Sequence, residues 1–227
     1  MLKGLKIELG KNGAIINGSI VNRQQFYPWD CKSFDPCRDD FIIRGITDAL
    51  KSNNERYLLG LPCTCCADHN EVMEIREKSS ATLTWANLFV NGNYTQFIEN
   101  VFPLIQSLPV MVAVNHASSH EAFSSCLKHL RFDIPDNVLQ GANETVNRFL
   151  DQCSHLNAGT IVLVGASAVA KIMIHKAFIL YPQLSFIDIG TTLNPLLGLG
   201  MGRDYLRSYW SNSYNLNSAY ANKICIW

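Results

Sequence analysis

The stretch that most limits how this chain can fold is GTIVLVGASAVAKIMIHKAFILYPQLSFIDIGTTLNPLLGLGMGRDY, residues 159–205. Residues 160–164 form a continuous apolar run, the pattern of a strand buried on both faces. Gly165-Ala166-Ser167 breaks that run with small residues. The spacing of Val169, Ile172, Met173 and Phe178 then predicts a helix over 168–180. Pro182 stops it, and a second apolar strand is expected at 186–189. Strand, helix and strand in such quick succession make a βαβ unit, which forces parallel pairing and a right-handed crossover. Ligands of open parallel sheets sit beyond the carboxyl ends of the strands. Gly165, Ser167, Asp188, Gly190 and Thr192 are therefore expected on one rim, facing a common crevice.

The rest of the chain reads as more of the same. Residues 14–21 predict a first strand, with a turn at Lys11-Asn12-Gly13 before it and an amide- and aromatic-rich loop, residues 22–30, after it. Phe41, Ile42, Ile46 and Leu50 predict an amphipathic helix over 39–51. Residues 57–62 read as a second buried strand, and 109–115 as a third. Between them, 94–108 predicts a helix that Pro103 kinks or ends early. A further helix is expected near Ser119, its first-turn amides offering a phosphate site. A short strand at 132–135 and a helix over 143–153 complete the pattern. The expected fold class is α/β, a Rossmann-like and mostly parallel sheet with helices on both faces. No repeat or linker divides the chain, so residues 1–227 read as a single domain.

Charge and cysteine usage narrow the function. Nineteen basic and nineteen acidic side chains cancel, which leaves no net field to draw nucleic acid or an anionic membrane. No apolar run approaches the roughly 20 residues of a membrane span. The start, MLKGLKIELGKNGAII, lacks a signal-peptide core, so a cytoplasmic protein is expected. With 48% apolar residues the chain can build its own core, and its eight cysteines are expected as free thiols. The cluster Cys63-Thr64-Cys65-Cys66-Ala67-Asp68-His69 has no partner Cys-x-x-Cys at finger or ribbon spacing, which argues against zinc.

Several polar groups are candidates for chemistry. Thr84, Trp85, Asn87, Asn91 and Asn93 bring a ring face and several amides together, as recognition of a sugar requires, although Trp85 and Phe89 also suit a core. Asp68, His69, Glu71 and His116 follow predicted strand ends and could take a proton. Asp68 and His69 are the first choice. No Gly-x-Gly-x-x-Gly follows a strand, which argues against a nicotinamide-dependent oxidoreductase.

Residues 159–205 resemble the carboxyl-terminal half of the GT-D-type glycosyltransferases, in which a Gly-Pro-Ser or Gly-Ala-Ser-like turn precedes a helix and an Asp-hydrophobic-Gly strand end. Here these are Gly165-Ala166-Ser167 and Asp188-Ile189-Gly190. The run Thr191-Thr192-Leu193-Asn194-Pro195, with Arg203-Asp204-Tyr205 downstream, is similar to one subgroup, as are Leu59-Gly60-Leu61-Pro62-Cys63 and residues 84–91. The resemblance implies transfer of a sugar from a nucleotide diphosphate donor, with UDP expected, to a glycan acceptor. It implies a donor site of Arg23, Gly165, Ser167, Asp188, Gly190, Thr192, Asn194 and Arg203, and an acceptor site of Trp85, Asn87, Asn91 and His116. A likeness to the rhamnosyltransferase domain of large chlorovirus multidomain glycosyltransferases implies L-rhamnose as the sugar. It also implies a host-cytoplasm location and neighbouring catalytic domains in a longer polypeptide. The family's Asp-x-Glu after its first strand is missing, since Asn22-Arg23-Gln24-Gln25-Phe26-Tyr27 stands there. Amides hold a divalent cation poorly, so metal-independent binding is expected, unless Asp30, Asp39 or Asp40 restores a site. The alternative is a non-catalytic domain of the same fold that binds nucleotide sugar or glycan.

Overall fold

The structure is a computed structural model that describes residues 7–10, 13–16, 19–22, 40–62, 69–78, 81–201 and 203–210. β1 (Ile7–Gly10), β2 (Gly13–Ile16) and β3 (Ser19–Asn22) form an antiparallel meander. The single strand expected at 14–21 is thus a hairpin. Ile16 pairs with Ser19, and the Asn17-Gly18 dipeptide between them is a hairpin-turn signal. α1 (Asp40–Leu50) follows, within a residue of its prediction at each end. β4 (Leu58–Leu61) and β5 (Thr82–Trp85) pair in parallel, joined by a segment that contains α2 (His69–Lys78).

A helical stretch, α3, comes next in three continuous pieces: Tyr94–Gln96, a π-helical turn at Phe97–Val101, and Phe102–Gln106. Pro103 does not end the helix early. It lies just after the π turn, where the i→i−4 ladder is already interrupted. β6 (Pro109–Asn115) matches its predicted span, and β7 (Lys128–Ile134) is longer than expected. The helix expected near Ser119 is absent, replaced by a single 3-10 turn at Glu121–Phe123, so the phosphate site foreseen there has no helix to support it. α4 (Ala142–Ser154), β8 (Ile161–Val164), α5 (Val169–Leu180) and β9 (Ser185–Asp188) follow as predicted, to within two residues, and α6 (Asp204–Trp210) ends the described chain.

β6 to β9 make one parallel sheet in the order β7-β6-β8-β9. Side-chain alternation sorts its residues into two cores. Met111, Ala113, Val162 and Val164 face α1, α4 and α5. Val110, Val112, Val114 and Leu163 face α3 and the segment after β9, through Phe97, Phe102, Leu193 and Leu197. Gly45 lets α1 lie flat on α5, because a Cβ there would stand 2.8 Å from the Ile172 side chain. This is an α/β fold with a parallel sheet covered on both faces. The β4–β5 pair differs, for only Leu61 of β4 is buried, and the expectation of a second strand buried on both faces is corrected.

The connections decide where a ligand fits. After β6 the chain turns to the α3 side, where Phe123 is fully buried. After β8 it turns to the opposite side, into α5. Neighbouring strands whose connections leave for opposite faces create a switch point, and a crevice opens beyond their carboxyl ends.

Candidate functional site

The switch point is lined by the turns after β6 and β8, with the ends of β7 and β9 beside them. Gly165 ends β8, and its N–H donates to the Ala113 carbonyl of β6 at 2.8 Å. A Cβ at Gly165 would stand 2.9 Å from the Gly190 carbonyl, so glycine is what lets the β8 and β9 turns close on each other. Ser167 holds φ at +52°, a left-handed conformation that costs a non-glycine residue about 1–2 kcal/mol. Such strain gathers at ligand sites. α5 then starts with no side-chain cap, and its first two amides, Val169 and Ala170, donate back to the Ala166 and Ser167 carbonyls at 3.1 and 3.2 Å.

Asp188 ends β9 and holds its own turn, with Oδ1 accepting the Gly190 N–H at 3.1 Å. Its Oδ2 lies 2.7 Å from Lys171 Nζ, one turn into α5, and that ammonium also donates to the Ser167 carbonyl at 3.4 Å. The Tyr57 phenol is pushed up to about 12, first by burial and then by the Asp188 carboxylate.

On the other wall, Asn115 ends β6 and His116 follows it. Asn115 Nδ2 donates to Asp136 Oδ1 at 2.9 Å, and its Oδ1 accepts the Ala117 N–H at 2.9 Å. The same Asp136 oxygen lies 3.8 Å from His116 Nδ1. His116 is exposed, and its backbone N–H is fixed by the Ile134 carbonyl at 2.9 Å. Arg131 of β7 donates to the carbonyls of both His116 and Ser118, while its Nε donates to Asp133. Deeper in the same wall, Ser118 Oγ is 2.8 Å from His120 Nε2, and His120 Nδ1 is 3.0 Å from His129 Nε2.

The sequence-predicted residues separate into three groups. Gly165, Ser167, Asp188 and Gly190 come together on the rim, and His116 stands at the neighbouring strand end. Arg23 and Asp68 lie outside the described residues, as do Asp30, Asp39 and Cys63, Cys65 and Cys66. The remainder take other places. His69 opens α2, exposed, and Glu71 lies in the same helix; β4, which they follow, is not hydrogen-bonded into the four-stranded sheet. Likewise β3, which precedes Arg23, belongs to the meander rather than to the parallel sheet.

Thr192 is buried on the α3 side, where its carbonyl accepts from Tyr94 Oη at 3.1 Å, and so does not face the crevice. The Asn194 amide closes its own loop on Gly200, and Arg203 is exposed just before α6. Asn87 is buried, its carbonyl accepting Asn93 Nδ2 at 3.0 Å while its Oδ1 has no partner among the described residues, and Asn91 adopts φ +53° at the start of a 3-10 turn. Trp85 is half-buried rather than core, and with Leu61, Arg76, Leu83 and Thr84 it lines a depression of about 140 Å³. Asp40 pairs with Arg44 at 2.6 Å.

Sequence reasoning missed Lys171, Arg131, Asp136 and the His120–His129 pair. Lys171 stands four residues after Ser167, a helical neighbour visible in the sequence. The others meet only through the register of β6 on β7.

Comparison with known proteins finds no family model, no curated protein and no solved structure that matches this chain. Among the described residues, no group of three or more His, Cys, Asp or Glu side chains is placed to hold a metal ion. Among the same residues, no helix is long and apolar enough to cross a membrane.

Proposed function

We propose that this chain is a nucleotide-sugar-dependent glycosyltransferase of the GT-D type. In this reading the donor lies across the switch point, with UDP as base and diphosphate and L-rhamnose as the first sugar to test. The observation that carries it is the contact between the two turns on which the resemblance rests: Gly165 beneath the Gly190 carbonyl, with Ser167 and Asp188 flanking it. The diphosphate faces Lys171 at the start of α5. Two of that ammonium's three donors go to Asp188 and Ser167, which leaves one for a phosphate oxygen. A fixed cation beside the phosphates neutralises part of the charge on a departing diphosphate without requiring a metal.

His116 takes the role first given to Asp68 or His69. Its Nε2 accepts the proton of the acceptor hydroxyl as that oxygen bonds the anomeric carbon and the bond from carbon to phosphate oxygen breaks. Asp136, 3.8 Å from Nδ1, steadies the imidazolium that results. A base on the face opposite the leaving group fits an inverting displacement.

Calorimetry with UDP, GDP, dTDP and UDP-sugars, with manganese or with chelator, tests this. One nucleotide family is expected to bind in chelator, and His116→Ala is expected to lower turnover about 10²–10⁴-fold with donor affinity unchanged. Binding of no nucleotide overturns the reading. Binding without cleavage of the sugar leaves the non-catalytic domain.

A further inference from the structure

Ser118, His120 and His129 form a hydrogen-bonded chain that the proposed transfer does not use. Their order has the connectivity of a nucleophile and its base. The amides around Ser118 argue otherwise. Ala117 N–H donates to Asn115 Oδ1, Ser118 N–H to the Asn115 carbonyl and Ser119 N–H to the Leu197 carbonyl. None of these three amides is available to an oxyanion, so acyl chemistry at Ser118 has no support from its own turn.

We propose instead that Ser118, His120 and His129 form a proton-gated brace, which holds residues 116–120 against β7 at neutral pH and releases them in acid. One proton between His120 Nδ1 and His129 Nε2 makes their 3.0 Å hydrogen bond. When both rings carry both protons, two N–H groups face each other at that distance and the bond is lost. The His120 and His129 rings are also stacked, with centroids 4.9 Å apart at 26°, and Phe123 packs beside both, 5.3 Å from His129 and 6.2 Å from His120.

The charged groups facing the pair come from β7. Arg131 adds a fixed positive charge, while Asp133 offsets it from the same strand. The β6–β7 connection brings Ser118 and Phe123, α3 brings Phe102 against Phe123 and the Gln106 amide on the Ala122 carbonyl, and the segment after β9 brings the Leu197 carbonyl. None of these contributes a charge. Burial first, then His129 and Arg131, hold His120 down to about 4 against the pull of Asp133, and burial and Arg131 lower His129.

The sign follows from linkage. An unfolded histidine titrates near 6.5, so the brace is fully held above that pH and is lost as pH falls from there towards about 4. Each proton taken up on opening, up to two for the pair, lowers protection by up to about tenfold per pH unit.

Hydrogen exchange on the intact chain, compared as protection factors at about pH 7.5 and about pH 4.5, reads this directly. Protection of residues 116–121 is expected to fall at least about tenfold while Ile161–Val164 of β8 keeps its own. His129→Gln retains a hydrogen-bonding atom near Nε2 without a second titrating ring, and is expected to hold the segment to lower pH than the parent. Unchanged protection across the range overturns the brace. So does loss in step with β8, which is global unfolding, or a His129→Gln chain that releases at the parent's pH. Any effect of release on transfer rests on His116 being the base, whereas the exchange result does not, and nucleotide binding at neutral pH tests that reading apart.

Discussion

The four-stranded sheet and the β4–β5 pair are both made of apolar parallel strands, yet they meet solvent differently. Val162, Leu163 and Val164 of β8 are entirely buried, whereas Leu58 of β4 is 58% exposed and only Leu61 is enclosed. Composition does not separate TIVLV from YLLGL. What separates them is the number of helices each can recruit. β8 lies between α4 and α5 on one face and α3 on the other, so its residues contribute through both cores. The turns at the ends of β8 and β9 are tied down in turn by the Gly165–Ala113 hydrogen bond and the Lys171–Asp188 ion pair.

Four substitutions probe that contrast, three in falling order of effect and Leu58→Ala as the control for the first. Leu163→Ala empties a fully enclosed site and is expected to cost about 2–5 kcal/mol in denaturant unfolding. Leu58→Ala is expected to stay within about 0.5 kcal/mol, and equal losses at both positions would mean that β4 is as enclosed as β8. Gly165→Ala sets a methyl 2.9 Å from the Gly190 carbonyl, for about 1–3 kcal/mol by the same assay together with weaker nucleotide binding. A neutral result would show that the β9 turn can retreat. Lys171→Ala breaks a half-exposed ion pair, so stability should change by less than about 1 kcal/mol. Calorimetry should nonetheless register a clear loss of diphosphate affinity. A larger change in stability than in affinity would make Lys171 a structural residue only.

Much of the parallel sheet was legible because its signals are local. A run such as PVMVAVN has one way to satisfy its side chains, and β6 lies where its residues predict. The meeting of the β8 and β9 turns was legible for the same reason, since a βαβ unit fixes which strand ends share an edge. The helix foreseen at Ser119 failed because its hydroxyls cap a 3-10 turn as readily as an α-helix: Glu121 N–H lies 3.4 Å from Ser119 Oγ. β7 was read short although Leu130, Phe132 and Ile134 alternate with polar residues, the mark of an edge strand with one side towards solvent. The partners of His116 and His120 were beyond reach. Asp136 and His129 become neighbours only when β6 pairs with β7 in one register, and nothing local encodes that register.

The π-helical turn in α3 is also a matter of angular phase. A straight α-helix advances about 100° per residue, which would set Phe102 about 80° to one side of Tyr94 and Phe97 about 60° to the other. Together they would span an arc of about 140°, a broad apolar stripe. A turn that takes more residues to close rotates the second half back, so that Tyr94, Phe97, Phe102 and Ile105 all reach the same core. The wide turn thus narrows the buried stripe, and losing one residue within it would return a plain α-helix with that stripe spread wide again.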